Sequence, residues 1–154
     1  MRAIRRSKRH EEVVRQLADK NHPQASRPIF PTMRELLCFA AVLGFDAERK
    51  KPLDAETLEI DGRIFRDHPS SLDLIYLIAL ADAKDAEVVR EENEEQAISI
   101  FEQYAEVGLQ ELSAWLLERP EDENGDIALL DALQKRGFLG EARNIDDAIH
   151  DVSF

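Results

Sequence analysis

Apolar side chains recur along this chain at intervals of three and four, in stretches separated by prolines, glycines and polar runs. Over residues 8–20, Val13, Val14 and Leu17 share one helical stripe, with Arg15 and Lys20 off it. His22-Pro23 closes that stripe, because proline disfavours helical geometry in the residue before it. Gln24 to Pro31, where Pro28 and Pro31 bracket Ile29-Phe30, reads as an extended connector. Thr32 and Glu35 then have capping-box spacing ahead of Leu36, Leu37, Phe39, Ala40, Ala41, Val42 and Leu43. That helix is apolar nearly all round, so a central position is expected. Gly44 followed by Phe45 predicts a Schellman-type stop.

Leu58-Glu59-Ile60 and Arg63-Ile64-Phe65 flank Asp61-Gly62, a dipeptide favoured in two-residue hairpins. An isolated ribbon is marginal in water, so it would have to pack on the helices. Ser70 with Asp73, after Pro69, predicts a capped amphipathic helix carrying Leu72, Ile75, Tyr76, Ala79 and Leu80 to about Ala83. Glu91-Glu92-Asn93-Glu94-Glu95 places negative charge where a helix N-terminus favours it. From there Ile98, Phe101, Ala105, Gly108, Leu109, Leu112, Trp115 and Leu116 keep helical spacing, with Gly108 suited to a close helix approach. After the acidic loop 120–126, Asp126 can cap a helix through Leu129, Leu130 and Leu133 that Gly137 stops. Asn144 with Asp147 suggests a last short turn carrying Ile145 and Ile149. The expected fold is mainly α: a compact domain of five to six helices, to which one short β-hairpin near residues 57–65 can be added.

Length and composition bound this picture. The 154 residues suit one domain, with 44% hydrophobic and 34% charged residues, no membrane span and few glycines or prolines. The expected organisation is a basic N-terminal arm at 1–9 and a single helical domain at 10–154, acidic from about 120. Net charge is −12, but residues 1–52 carry +6 and residues 53–154 carry −18. An acidic body repels phosphate backbones within about a Debye length, roughly 8–10 Å. The basic start lacks the apolar run of a secretory signal, which reads as cytoplasmic.

Candidate chemistry is sparse. His10, His22, His68 and His150 include no i, i+4 pair, and His10-Glu11-Glu12 lacks the second zincin histidine because position 14 is Val14. Surface histidines and no metal are expected. Cys38 lies in the apolar helix and reads as a buried, inert thiol. Glu48-Arg49-Lys50 has half of a nuclease carboxylate–lysine pattern, without a strand before it. Asp122-Glu123-Asn124-Gly125-Asp126 lacks the spacing and closing glutamate of a calcium loop. No phosphate-cradling glycine loop or nucleophile elbow occurs, and no cofactor is expected. The basic start could neutralise about four or five phosphates, although a frayed terminus explains it as well and no aromatic residue interleaves it.

The segment Arg27-Pro28-Ile29-Phe30-Pro31-Thr32-Met33-Arg34-Glu35-Leu36-Leu37-Cys38-Phe39-Ala40-Ala41-Val42-Leu43-Gly44-Phe45 resembles the opening of the DNA phosphorothioation-associated proteins, Dnd system-associated protein 4. The likeness continues in Ile75-Tyr76-Leu77-Ile78-Ala79-Leu80-Ala81 and in Ile100-Phe101-Glu102-Gln103-Tyr104-Ala105-Glu106-Val107-Gly108-Leu109, spanning about residues 10–118. The resemblance implies a bacterial context in which a DNA backbone oxygen is replaced by sulfur and unmodified DNA is restricted, a form of antiphage defence. It carries over no catalytic residue.

Two functions follow as expectations. One is a non-enzymatic accessory protein of such a modification and restriction system, working by contact with its other proteins, as a homodimer or docked on a larger subunit. The other is a DNA-binding module that touches duplex phosphates through Arg2, Arg5, Arg6, Lys8, Arg9, Arg34, Arg49, Lys50 and Lys51. In that version Ile29-Phe30 and the capped helix would resemble half of a ribbon–helix–helix dimer, against which Pro28 and Pro31 argue. A hydrolase whose carboxylates meet only in the fold is the minor third.

Overall fold

The computed structural model describes residues 1–140. Strand β1 (Ile4–Ser7) leads through a 3-10 turn at Lys8–His10 into helix α1 (Glu11–Val14), which continues as a π-helical turn to Asp19. Helix α2 (Met33–Asp46), strand β2 (Thr57–Ile60), helices α3 (Gly62–Arg66) and α4 (Pro69–Ala83), two 3-10 turns, α5 (Glu94–Glu118) and α6 (Asp126–Lys135) follow. A mainly α fold with a two-stranded antiparallel sheet is therefore observed. The suggested turn at 144–149 and His150 lie outside the described residues.

Helix α5 is the spine. Its stripe of Ile98, Phe101, Ala105, Leu109, Leu112 and Trp115 is buried as the spacing predicts, and Leu36, Leu37, Ala40 and Ala41 of α2 pack against it in the same core. Two glycines set how close these helices come. A Cβ at Gly108 would lie 1.7 Å from the Ala40 carbonyl oxygen, and one at Gly44 would lie 2.0 Å from that of Tyr104. Gly44 is thus not a helix stop. Helix α2 runs past it to Asp46, and the left-handed residue is Glu48, at φ 54°. The Thr32–Glu35 capping box forms as expected, with Thr32 Oγ1 accepting from the Glu35 N–H and Glu35 accepting from the Thr32 N–H.

Elsewhere the chain departs from its local signals. The hairpin at 57–65 does not form. Strand β2 occurs, but it pairs with β1, Ile4 opposite Ile60 and Ser7 opposite Thr57. Asp61-Gly62 instead opens α3, Asp61 Oδ1 accepting the Arg63 N–H at 2.9 Å, because Asp-Gly suits a helix start as well as a turn. Phe65 is thereby turned inward to meet Phe101 edge-on at 5.9 Å. The basic start is not a projecting arm: Ile4 and Ser7 are fully buried. Ile29-Phe30 forms a bend rather than a ribbon strand.

Helix α4 is capped by Pro69 at its first position after His68, without a Ser70 cap. Its buried side chains include Ile75, Ile78 and Ala79, while Leu80 faces solvent. Asp126 is the first residue of α6, and Gly125, at φ 87°, precedes it as N-cap. Gly137, at φ 76°, closes α6 as predicted, with the Phe138 N–H returning to the Leu133 carbonyl.

Alanine favours a helix interior over glycine by about 1 kcal/mol. At Gly44 and Gly108 the steric clash reverses that sign. Gly108→Ala and Gly44→Ala should each lower unfolding stability by about 1–3 kcal/mol. Because both act on one crossing, the double variant should lose less than the two losses added. Urea denaturation checks this; stability at or above the parent's would show that the helices separate without cost.

Candidate functional site

The polar interior lies where β1 and the turn after it cross α5. Glu102 and Glu106, one helical turn apart, are 5% and 1% exposed. Two carboxylates at this depth need partners, because an unpaired buried charge is costly. The N-terminal segment supplies them. Arg2 forks onto Glu102, Nη1 to Oε1 at 2.7 Å and Nη2 to Oε2 at 3.0 Å, and the Arg5 backbone N–H donates to the same Oε1 at 2.7 Å. Arg9 Nη2 donates to Glu106 Oε1 at 2.6 Å, and His10 Nε2 stands 3.1 Å from that oxygen. Arg9 Nε also reaches Asp54 Oδ2 at 3.1 Å, while Ser7 Oγ accepts the Asp54 N–H at 2.9 Å.

This arrangement sets the protonation of the seam. Burial pushes the Glu106 carboxyl up, but the hydrogen bond from Arg9 and the neighbouring His10 outweigh it, leaving Glu106 below the ordinary carboxylate range. The Arg2 guanidinium is raised, chiefly by its hydrogen bond to Glu102. Glu106 is therefore held ionised, away from the neutral range that suits a general acid. Beside the seam, a groove of about 840 Å³ is lined by Arg2, Arg5, Asp54, Glu95, Ser99 and Glu102 among others, mixing both signs of charge.

The residues expected on DNA are scattered and engaged. Arg6 is buried, its Nη2 on Glu11 at 3.0 Å and its Nε against the Met33 sulfur. Arg5 pairs with Glu59, Lys8 with Glu56, Arg49 with Glu111 and Lys50 with Asp82. Arg34 donates to Ser71 Oγ between α2 and α4 and lies 3.9 Å from Glu35. Lys51 anchors its loop on α5 by its backbone N–H to the Gln103 carbonyl.

Other expectations resolve as follows. His10 is not a surface histidine; it is 6% exposed because Glu106 needs a partner there. His22 Nε2 meets Asp126 Oδ2 at 3.1 Å and ties α6 to the loop before α2. His68 is exposed, with Nδ1 2.7 Å from the Ile64 carbonyl. Cys38 is partly buried and desolvation raises its thiol, which suits an unreactive group. Asp122 accepts the N–H groups of Asn124 and Ala128, closing its own loop. Among the described residues no three His, Cys, Asp or Glu side chains converge as metal ligands, and no helix is long and apolar enough to cross a membrane.

Sequence patterning missed Glu102 and Glu106. Their spacing of four, each next to a residue of the apolar stripe (Phe101 and Ala105) in the longest helix, was the available signal for buried acids awaiting cations.

A family model described as DNA sulphur modification system-associated protein 4 matches residues 3–146. The match extends beyond the resemblance at 10–118, taking in β1 at one end and α6 at the other. No curated protein and no solved structure matches the chain.

Glu106→Gln should cost about 1–2 kcal/mol at pH 7, since Arg9 keeps Asp54 and reaches solvent but exchanges a charge-assisted hydrogen bond for a weaker one to a neutral amide. The lowered folded pKa fixes the pH dependence. The contribution of Glu106 is complete above its unfolded value, near 4.5, and is lost as pH falls through the folded value. The stability gap between parent and variant, from urea titrations at a series of pH values, should therefore be constant near neutrality and shrink below about 4.5. A gap that widens on acidification would contradict the ion-pair account.

Proposed function

The chain belongs to the DNA sulphur modification system-associated protein 4 family, and from that premise we propose that it is a non-enzymatic accessory subunit acting by contact with another protein of the system. The carrying observation is that the fold occupies its own cations. Arg2, Arg5, Arg6, Lys8, Arg9, Arg34, Arg49 and Lys50 each lie within 3.9 Å of a carboxylate oxygen.

Magnitudes divide these pairs. Withdrawing Arg2 from Glu102 or Arg9 from Glu106 would strand a buried acid, at about 3–5 kcal/mol. Exposed pairs such as Arg5–Glu59 and Lys8–Glu56 are worth about 0–1 kcal/mol and could be exchanged for phosphates. Direct duplex binding is thus confined to Arg5, Lys8, Arg49, Lys50 and Lys51, on a chain of net charge −12. The second reading rests on the exposure of these side chains, three of which are about half exposed or more.

Affinity purification of the full chain from cells expressing the modification system distinguishes the readings. We expect a protein of the system to co-purify after nuclease treatment, and Arg5→Ala/Lys8→Ala/Arg49→Ala/Lys51→Ala to leave recovery unchanged. If nuclease or this variant abolishes recovery, and duplex DNA binds the parent with a steep salt dependence, the DNA-binding reading replaces the accessory one.

A further inference from the structure

We propose that the face between α2 and α4 is a docking groove for an amphipathic helical segment of another protein, apolar along one side and flanked by lysine or arginine. This rests on the accessory reading and assigns its surface and the chemistry of its partner.

Helix α4 carries more apolar side chains than the core accepts. From Leu72 to Ala81 only Asp73 is charged. Ile75, Ile78 and Ala79 are buried, yet Leu77 is 61% exposed. On α2, Val42 is 45% and Phe45 37% exposed. Single exposed apolar residues are ordinary, but Val42 and Phe45 stand side by side. Val42, Phe45 and Ala81 line one groove of about 530 Å³ with Tyr104, and Leu77 lies one turn before Ala81 on α4. The Phe45 ring stands edge-on to Tyr104 at 5.4 Å, so the wall is already ordered.

The charge around the groove selects the occupant. Asp46, Glu48 and Asp82 line it against Lys84, and Lys50 is bonded to Asp82 at 2.7 Å. Asp73, exposed and one turn before Leu77, extends the acidic side. The Tyr104 hydroxyl donates to Asp82 at 2.6 Å and is pushed up to about 12, first by burial and then by Asp82 and Glu48. Both carboxylates therefore act on the groove floor. A second copy would bring the same acidic rim on a chain of net charge −12, so self-docking is opposed. A helix with apolar anchors at i, i+3 and i+4 fills the groove, and basic flanks answer the rim.

The test uses the full chain mixed with each protein of the modification system in turn, followed by amide hydrogen exchange on both partners. Protection is expected over Val42–Phe45 and Leu77–Ala81, and over a segment of the partner that combines apolar residues with flanking Lys or Arg. Leu77→Glu and Val42→Glu should each weaken binding about tenfold or more. Their thermal unfolding should match the parent's, since both sites are exposed; Glu48→Lys, at another exposed position, should weaken binding in a salt-dependent manner. Binding that survives Leu77→Glu and Val42→Glu overturns the groove and leaves the accessory reading standing. An acidic partner footprint, or self-association abolished by Leu77→Glu, overturns the assigned occupant. Absence of a complex with every protein of the system removes the accessory reading and the groove together.

Discussion

At two points between α2 and α5 no side chain fits, and the arrangement of the molecule follows from that. Gly108 faces the Ala40 carbonyl and Gly44 the Tyr104 carbonyl, so each helix supplies one glycine to the other's backbone. Such contact fixes separation and register, because sliding either helix by one residue would bring a Cβ into the other's peptide plane. With α2 held there, other faces of α5 position the remaining elements. Phe101 meets Phe65 of α3, and Tyr104 meets Asp82 of α4. Trp115 lies under the Arg136 guanidinium at 4.8 Å, beyond the end of α6.

The seam between β1 and α5 is the second constraint, and it accounts for the uneven charge along the chain. A basic start beside an acidic remainder resembles a ligand-binding arm when read linearly. In space the two complement each other, Arg2 with Glu102 and Arg9 with Glu106, at a separation of about a hundred residues. Buried pairs of this kind add little net stability, because desolvation offsets much of the attraction. Their effect is specificity: β1 has one register in which both acids are answered, and that register also aligns Ile4 with Ile60 and buries it in the core.

Helices were legible where the signal was local. The Thr32–Glu35 box, the stripe from Ile98 to Trp115, and the left-handed Gly137 each depend on neighbours within a few residues. Gly44 was misread because a stop glycine and a contact glycine look alike until the facing helix is known. Asp61-Gly62 was misread for a related reason: a turn and a helix N-terminus share that dipeptide, and the strand that β2 needed lay some fifty residues upstream, at Ile4–Ser7. The seam was illegible altogether, since a carboxylate's partner at long range leaves no trace in periodicity. His10 followed it inward for the same reason.

Helix α4 gives the clearest indication of what surface remains for another molecule. An amphipathic helix on a finished surface alternates with the core at a period of 3.6 residues. Helix α4 has almost no such asymmetry: its apolar residues continue around onto the side away from α5, at Leu77 and Leu80. Helix α2 shows the same excess at Val42 and Phe45 and borders it. Arg2 and Arg9, meanwhile, are bound to the protein's own buried acids, while Asp46 and Glu48, which line the apolar groove, form no ion pair among the described residues. Among the described residues, apolar area with an acidic border is therefore a surface feature that the fold leaves unsatisfied. It suits a basic, amphipathic polypeptide far better than it suits a phosphate backbone.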